Sequence, residues 1–104
     1  MNTLGTILYL KGGTQKVMII GRNAILKLND EEYLYDYVGC RYPSGFSMKG
    51  MIYFNEENID SILFLGYSDE EEVRMLEVFK EWKDKEESKY RRKILKWVYF
   101  KCFW

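Results

Sequence analysis

Short β-prone runs followed by one long amphipathic segment predict an α+β fold. The expected form is a small, mainly antiparallel, strongly bent sheet followed by a C-terminal amphipathic helix, and an SH3-like sheet is one way to bend it. Three observations carry this. Gly12 and Gly13 sit between strand-forming runs at 6–10 and 16–20. Further runs at 33–42, 51–54 and 59–65 alternate with turn residues. From Ser68 the apolar spacing becomes helical. One helix cannot cover both sides of a flat sheet, so bending is expected.

The first two runs read as a hairpin. A two-residue type I′ turn needs positive φ at both central positions, which Gly12-Gly13 permits. Pairing Lys11 with Thr14 then sets Leu8 opposite Val17 and Leu10 opposite Gln15. Gly21-Arg22-Asn23 reads as a strand break, after which 24–28 extends the strand or starts a short third one. Asn29-Asp30-Glu31-Glu32 reads as a polar turn. In the strand 33–42, Tyr33, Tyr35 and Tyr37 fall on one side, Leu34, Asp36 and Val38 on the other. Gly39 there marks a bulge or a close backbone approach. In Tyr42-Pro43-Ser44-Gly45, Pro fixes φ and Gly accepts positive φ, which makes a turn. Residues 51–54 are strand-like, Asn55 begins one capped helical turn over 55–58 and accepts from the backbone, and 59–65 is expected to be the last strand.

Ser68 followed by Asp69-Glu70-Glu71 is a helix-start signature, with carboxylates at the positive end of the dipole. Val73, Leu76, Phe79 and Trp82 lie near one face, and Met75 and Val78 widen it. A helix over about 69–87 should therefore dock on the sheet. Residues 1–87 form a single domain, with its strands at about 4–65. Residues 88–104 form a basic-aromatic extension: six Lys or Arg, no acid and six aromatics in 17 residues. In a helix, Tyr90, Ile94, Trp97 and Lys101 would share a face. Seven of the last eight residues are apolar or aromatic, too many for a free helix in water, so the extension is expected to be helical and docked.

Composition excludes several classes. At 104 residues the chain is one domain with a modest core. Zero net charge argues against a generic polyanion binder, because such affinity is mostly phosphate neutralisation. There is no His, so the commonest general base and metal ligand is missing. Cys40 and Cys102 lack metal-ligand spacing and read as reduced thiols. No secretory signal or membrane-spanning run is legible, and the expected location is cytoplasmic.

Gly12-Gly13 lacks the spacing and following helix of a phosphate loop. Asp36 reads as bonded to a Tyr hydroxyl or facing solvent, Asp69 to Glu72 as a helix start, and Cys40 as a small core hydrophobe. No nucleophile stands beside a base. The expectation is no enzyme, no catalytic, cofactor-binding or metal residues, and no cofactor. The tyrosine stripe reads as a half-exposed sheet face or a binding face. The stronger candidate is a partner-binding set of Phe79, Trp82, Tyr90, Ile94, Trp97, Phe100 and Trp104. Its occupant could be the chain's own sheet, a second copy or a helical protein partner. The basic-aromatic interleaving also fits single-stranded nucleic acid or an anionic membrane surface.

The strings Leu10-Lys-Gly-Gly-Thr-Gln-Lys-Val-Met-Ile-Ile-Gly-Arg22, Tyr35-Asp-Tyr-Val-Gly-Cys-Arg-Tyr-Pro-Ser-Gly45, Tyr53-Phe-Asn and Ile59 through Gly66-Tyr67-Ser-Asp-Glu-Glu71 resemble the family of domain of unknown function 4176, over about 4–79. Members sit beside LXG toxins of Gram-positive type VII secretion systems. The resemblance implies a non-enzymatic accessory or targeting adaptor that binds an LXG effector, or its small helical partner proteins, in the cytoplasm. Alternatives are an immunity protein that neutralises a toxin domain, and a nucleic-acid or membrane-surface module working through Arg91, Arg92, Lys93 and Lys96. The family carries no catalytic residue over, and beyond about Glu81 the chain departs from its core.

Overall fold

The computed structural model describes residues 1–47, 50–93 and 96–100. It is the predicted α+β class: among the described residues, a curled antiparallel half-barrel of six strands with one α-helix. In chain order these are β1 (Ile7–Leu10), β2 (Lys16–Leu28), β3 (Glu31–Tyr42), β4 (Met51–Phe54), β5 (Ile59–Phe64), α1 (Glu70–Glu86) and β6 (Val98–Phe100). Across the sheet the order is β5-β1-β2-β3-β4-β6.

β1 and β2 pair in the predicted register, Leu8 facing Val17 and Ile7 facing Met18. The turn differs. Of the two glycines only Gly12 has positive φ, at 76°. Gly13 donates its N–H to the Leu10 carbonyl at 2.9 Å, so the reversal centres on Lys11-Gly12. Positive φ at two consecutive residues appears instead at Asn29 (50°) and Asp30 (66°), where Leu28 faces Glu31 across the β2–β3 reversal. Asn and Asp reach the left-handed region more easily than other side chains.

The expected break at Gly21-Arg22-Asn23 does not occur. β2 runs through it with one extra residue, since Ile19 faces Gly39 and Gly21 faces Val38. The bulge lets the long ladder with β3 continue while bending the sheet. Gly39 is the close approach its sequence suggests: a Cβ there would lie 2.6 Å from Val17 Cγ1 and 2.9 Å from the Met18 carbonyl oxygen.

The tyrosine stripe is core. Tyr35 and Tyr37 are fully buried, with Leu34 and Asp36 between and beside them, because the curled sheet is covered on both faces here. β4 displays the same alternation. Ile52 and Phe54 join Leu8, Leu10, Val17, Ile19 and Tyr37 in one cluster. Tyr53 and Met51 belong to a second, with Leu26 and Tyr35. Cys40 is a buried core residue, and burial pushes its thiol pKa up.

Asn55 precedes a 3-10 turn over Glu56–Asn58 and forms the expected cap as a capping box with Asn58, whose Oδ1 accepts the Asn55 N–H at 2.8 Å; its side chain has further partners described below. The helix cap is Asp69 rather than Ser68: Asp69 Oδ1 accepts the Glu72 N–H at 3.1 Å. Leu76, Phe79 and Trp82 are half-buried, while Val73 and Val78 stay exposed and do not join the docked face.

The extension departs most from expectation. After a 3-10 turn at Glu87–Lys89 it runs back across the sheet instead of continuing as a helix. Arg91 accepts the Leu34 N–H at 2.8 Å and donates its own to Glu32 O at 3.0 Å. Residues Val98–Phe100 then pair with β4, so β5 is not the last strand. β4 would otherwise leave a row of unpaired backbone groups, and Val-Tyr-Phe is a β-prone triplet that satisfies them.

Candidate functional site

Glu72, Leu76, Phe79 and Lys83 recur at helical spacing and form the inward stripe of α1. Arg22, brought up by β2, donates to both Glu72 oxygens at 2.6 and 2.8 Å. Its guanidinium also lies 4.9 Å over the Phe79 ring. The Arg22 hydrogen bonds hold the Glu72 carboxyl below the usual carboxylate range. The first half of α1 is thus joined to the sheet by a bidentate ion pair as well as by apolar contact.

One turn further, Lys83 reaches Asp36. This buried β3 carboxylate accepts Lys83 Nζ at 2.7 Å and Arg92 Nη2 at 3.1 Å on Oδ1, and the Glu56 N–H at 3.0 Å on Oδ2. Asn55 Oδ1 accepts the Asp36 N–H at 2.9 Å and Arg92 Nη2 at 3.0 Å, and Asn55 Nδ2 donates to Lys93 O at 3.2 Å. Arg92 Nη1 also meets Glu87 at 2.9 Å. Burial alone would raise the Asp36 pKa, but the Glu56 N–H, Lys83 and Arg92 outweigh it and bring it below the ordinary value. The expected Tyr hydroxyl partner is absent from this set, because Tyr37 donates to Glu56 and accepts the Asn2 N–H. Asp36 is a clasp that gathers β3, the 3-10 turn, α1 and the extension.

The predicted partner-binding residues are largely engaged within the chain. Phe79 lies beneath Arg22, and Trp82 stacks on Tyr90 with ring centroids 6.1 Å apart. Trp97 donates its indole N–H to Lys11 O at 2.9 Å, packs on the first core cluster, and walls an open pocket of about 200 Å³ with Leu10, Val17 and Ile52. Phe100 contributes backbone to β6. Ile94, Trp104 and the Phe100 side chain lie outside what the structure describes. Four of the extension's cations are engaged too: Lys89 with Glu86, Arg91 with Glu31, Arg92 with Asp36 and Glu87, and Lys93 over the Tyr33 ring.

The open apolar surface lies elsewhere. β5 is an edge strand, and among the described residues it pairs on one side only. Ile62, Leu63, Phe64 and Leu65 are all exposed, Leu65 at 66%, and Tyr67 follows at 81%. Isolated exposed apolar side chains are ordinary, whereas a contiguous run marks an interaction surface. The sequence reading missed it because 59–65 has the near-continuous apolarity of a buried strand. Its one available signal was the acidic flanks, Glu57 and Asp60 before it and Asp69, Glu70 and Glu71 after it.

Among the described residues, no three His, Cys, Asp or Glu side chains are grouped to hold a metal ion. No described helix is long and apolar enough to cross a membrane. Fold and surface together define a small α+β domain with a curled sheet and an open apolar edge. Residues 1–75 match the family model described as Domain of unknown function (DUF4176), and the chain belongs to that family. The match ends within α1, so the Asp36 clasp partners Lys83 and Arg92, and β6, lie outside it. No curated protein and no solved structure matches the chain.

Proposed function

We propose that this chain is a non-enzymatic accessory protein that binds a protein partner. The exposed apolar run from Ile62 to Tyr67 is the observation that carries this reading. An apolar stretch of that length is stabilised by cover, and a second polypeptide supplies it. The family resemblance narrows the partner to an LXG effector of a type VII secretion system, with the cytoplasm as the place of encounter.

The test is co-purification of the tagged full chain with the N-terminal region of an LXG toxin and, separately, with its C-terminal toxic domain. Retention of the N-terminal region supports an adaptor. Retention of the toxic domain alone replaces that reading with an immunity protein. Retention of neither overturns the reading.

A further inference from the structure

We infer that the outer edge of β5 is a docking site for a short extended apolar segment of another polypeptide that carries Lys or Arg at both ends, an inference that rests on the partner-binding reading above. Three observations converge on it. β5 pairs with β1 alone among the described residues, so its outer backbone N–H and C=O groups face solvent. An added strand hydrogen-bonds them directly.

The exposed side chains are consecutive, Ile62 through Leu65, and they occupy both faces of the sheet, since Ile62 faces Leu8 and Phe64 faces Ile7, neighbours on opposite faces of β1. A docked helix covers one face and leaves the other wet. A docked strand presents side chains to both. Register shifts on β1 leave Asp60 and Leu63 as extra residues in β5, which limits regular pairing to a few positions. Such bulges blunt open-ended strand stacking, so the site takes one short segment.

Charge selects the occupant. Glu57 and Asp60 precede the apolar run, Asp69, Glu70 and Glu71 follow it, and all are exposed. Arg74 approaches Glu70 only at 3.9 Å on the solvent side of the helix, which leaves the fringe acidic. A second copy docking antiparallel brings the acidic end of one β5 against the acidic end of the other. A segment with basic ends brings opposite charges together at both.

The test uses the full chain and two synthetic peptides of about nine residues. Both share a Val-Thr-Val-Ile-Val centre, one flanked by lysines and the other by glutamates. Amide exchange is followed residue by residue by NMR. The lysine-flanked peptide should slow exchange at 61–65 and bind about tenfold more tightly than the glutamate-flanked one, the difference shrinking as salt rises past about 0.5 M. Asp60→Lys with Glu71→Lys, both at exposed positions, should reverse the preference, and Leu63→Lys should abolish binding.

Equal binding of the two peptides, no binding, or protection on another element overturns the proposal. So does self-association of the chain alone with 61–65 protected, which makes a second copy the occupant. If an LXG N-terminal region binds the Leu63→Lys variant as well as the parent chain, this site falls and the adaptor reading stands. Peptide docking at β5 without toxin binding has the reverse meaning.

Discussion

Arg92 meets Asp36 at 3.1 Å across 56 residues of chain, so a carboxylate in the third strand holds the segment that follows the helix. Lys83 joins the same oxygen from α1. The segment returns over the sheet and supplies β6 because this clasp, the Arg91 backbone bonds to β3 and the Trp97 bond to Lys11 fix its path.

Replacing Asp36 with Asn should lower stability by about 2 kcal/mol, because two cations lose their carboxylate. The pH dependence has a definite sign. The folded pKa of Asp36 is depressed, so its contribution is complete above the unfolded value of about 4. It is lost as pH falls through that value and then through the folded one. Denaturant melts at neutral pH and near pH 3 should therefore show a smaller acid loss in Asp36→Asn than in the parent. An equal loss would assign the acid sensitivity to other carboxylates such as Glu72.

Arg22→Ala should loosen α1 more than the sheet. The variant removes both hydrogen bonds to a largely buried Glu72 and the cover over Phe79, at a cost of about 2–3 kcal/mol. Hydrogen exchange should quicken through Glu70–Glu86 while the β2–β3 ladder keeps its protection. Uniform quickening would mean that the helix and sheet open together.

Trp97→Ala should cost about 2 kcal/mol, below the usual range for a fully buried aromatic because the side chain is half-buried. The indole bond to Lys11 is lost and the pocket against Leu10, Val17 and Ile52 opens. Chemical denaturation measures the loss, and faster exchange at β4 should accompany it as β6 frays.

Asp30→Gly should raise stability by about 0.5–1 kcal/mol, because Gly occupies the left-handed region without a Cβ penalty. Asp30→Pro, whose ring fixes negative φ, should destabilise the same turn. Midpoints of urea unfolding for the two variants give both signs.

Local features of the fold were legible where the chemistry is local. The β1–β2 register was legible although the reversal centres on Lys11-Gly12 rather than Gly12-Gly13, and the Asn-Asp reversal, the Pro43 turn, the burial of Cys40 and the close approach at Gly39 each follow from residues within a few positions. Features that depend on a distant neighbour were misread. Gly21-Arg22-Asn23 resembles a break until β3 lies beside it. Tyr33, Tyr35 and Tyr37 resemble a half-exposed stripe until the sheet curls over Tyr35 and Tyr37. The aromatic extension resembles a docked helix until β4 offers an edge.

The sequence by itself determined the α+β class, the strand-forming runs, the helix and the hairpin register, since turn chemistry and period are set within a short window. Only the tertiary structure decided which apolar segment is covered. Trp97 and Phe79 are half-covered where they meet Lys11 and Arg22, and Asp36 becomes a clasp through Lys83 and Arg92. β5 is left at the rim because β1 pairs with it on one side, and an edge exists only once the strands have an order.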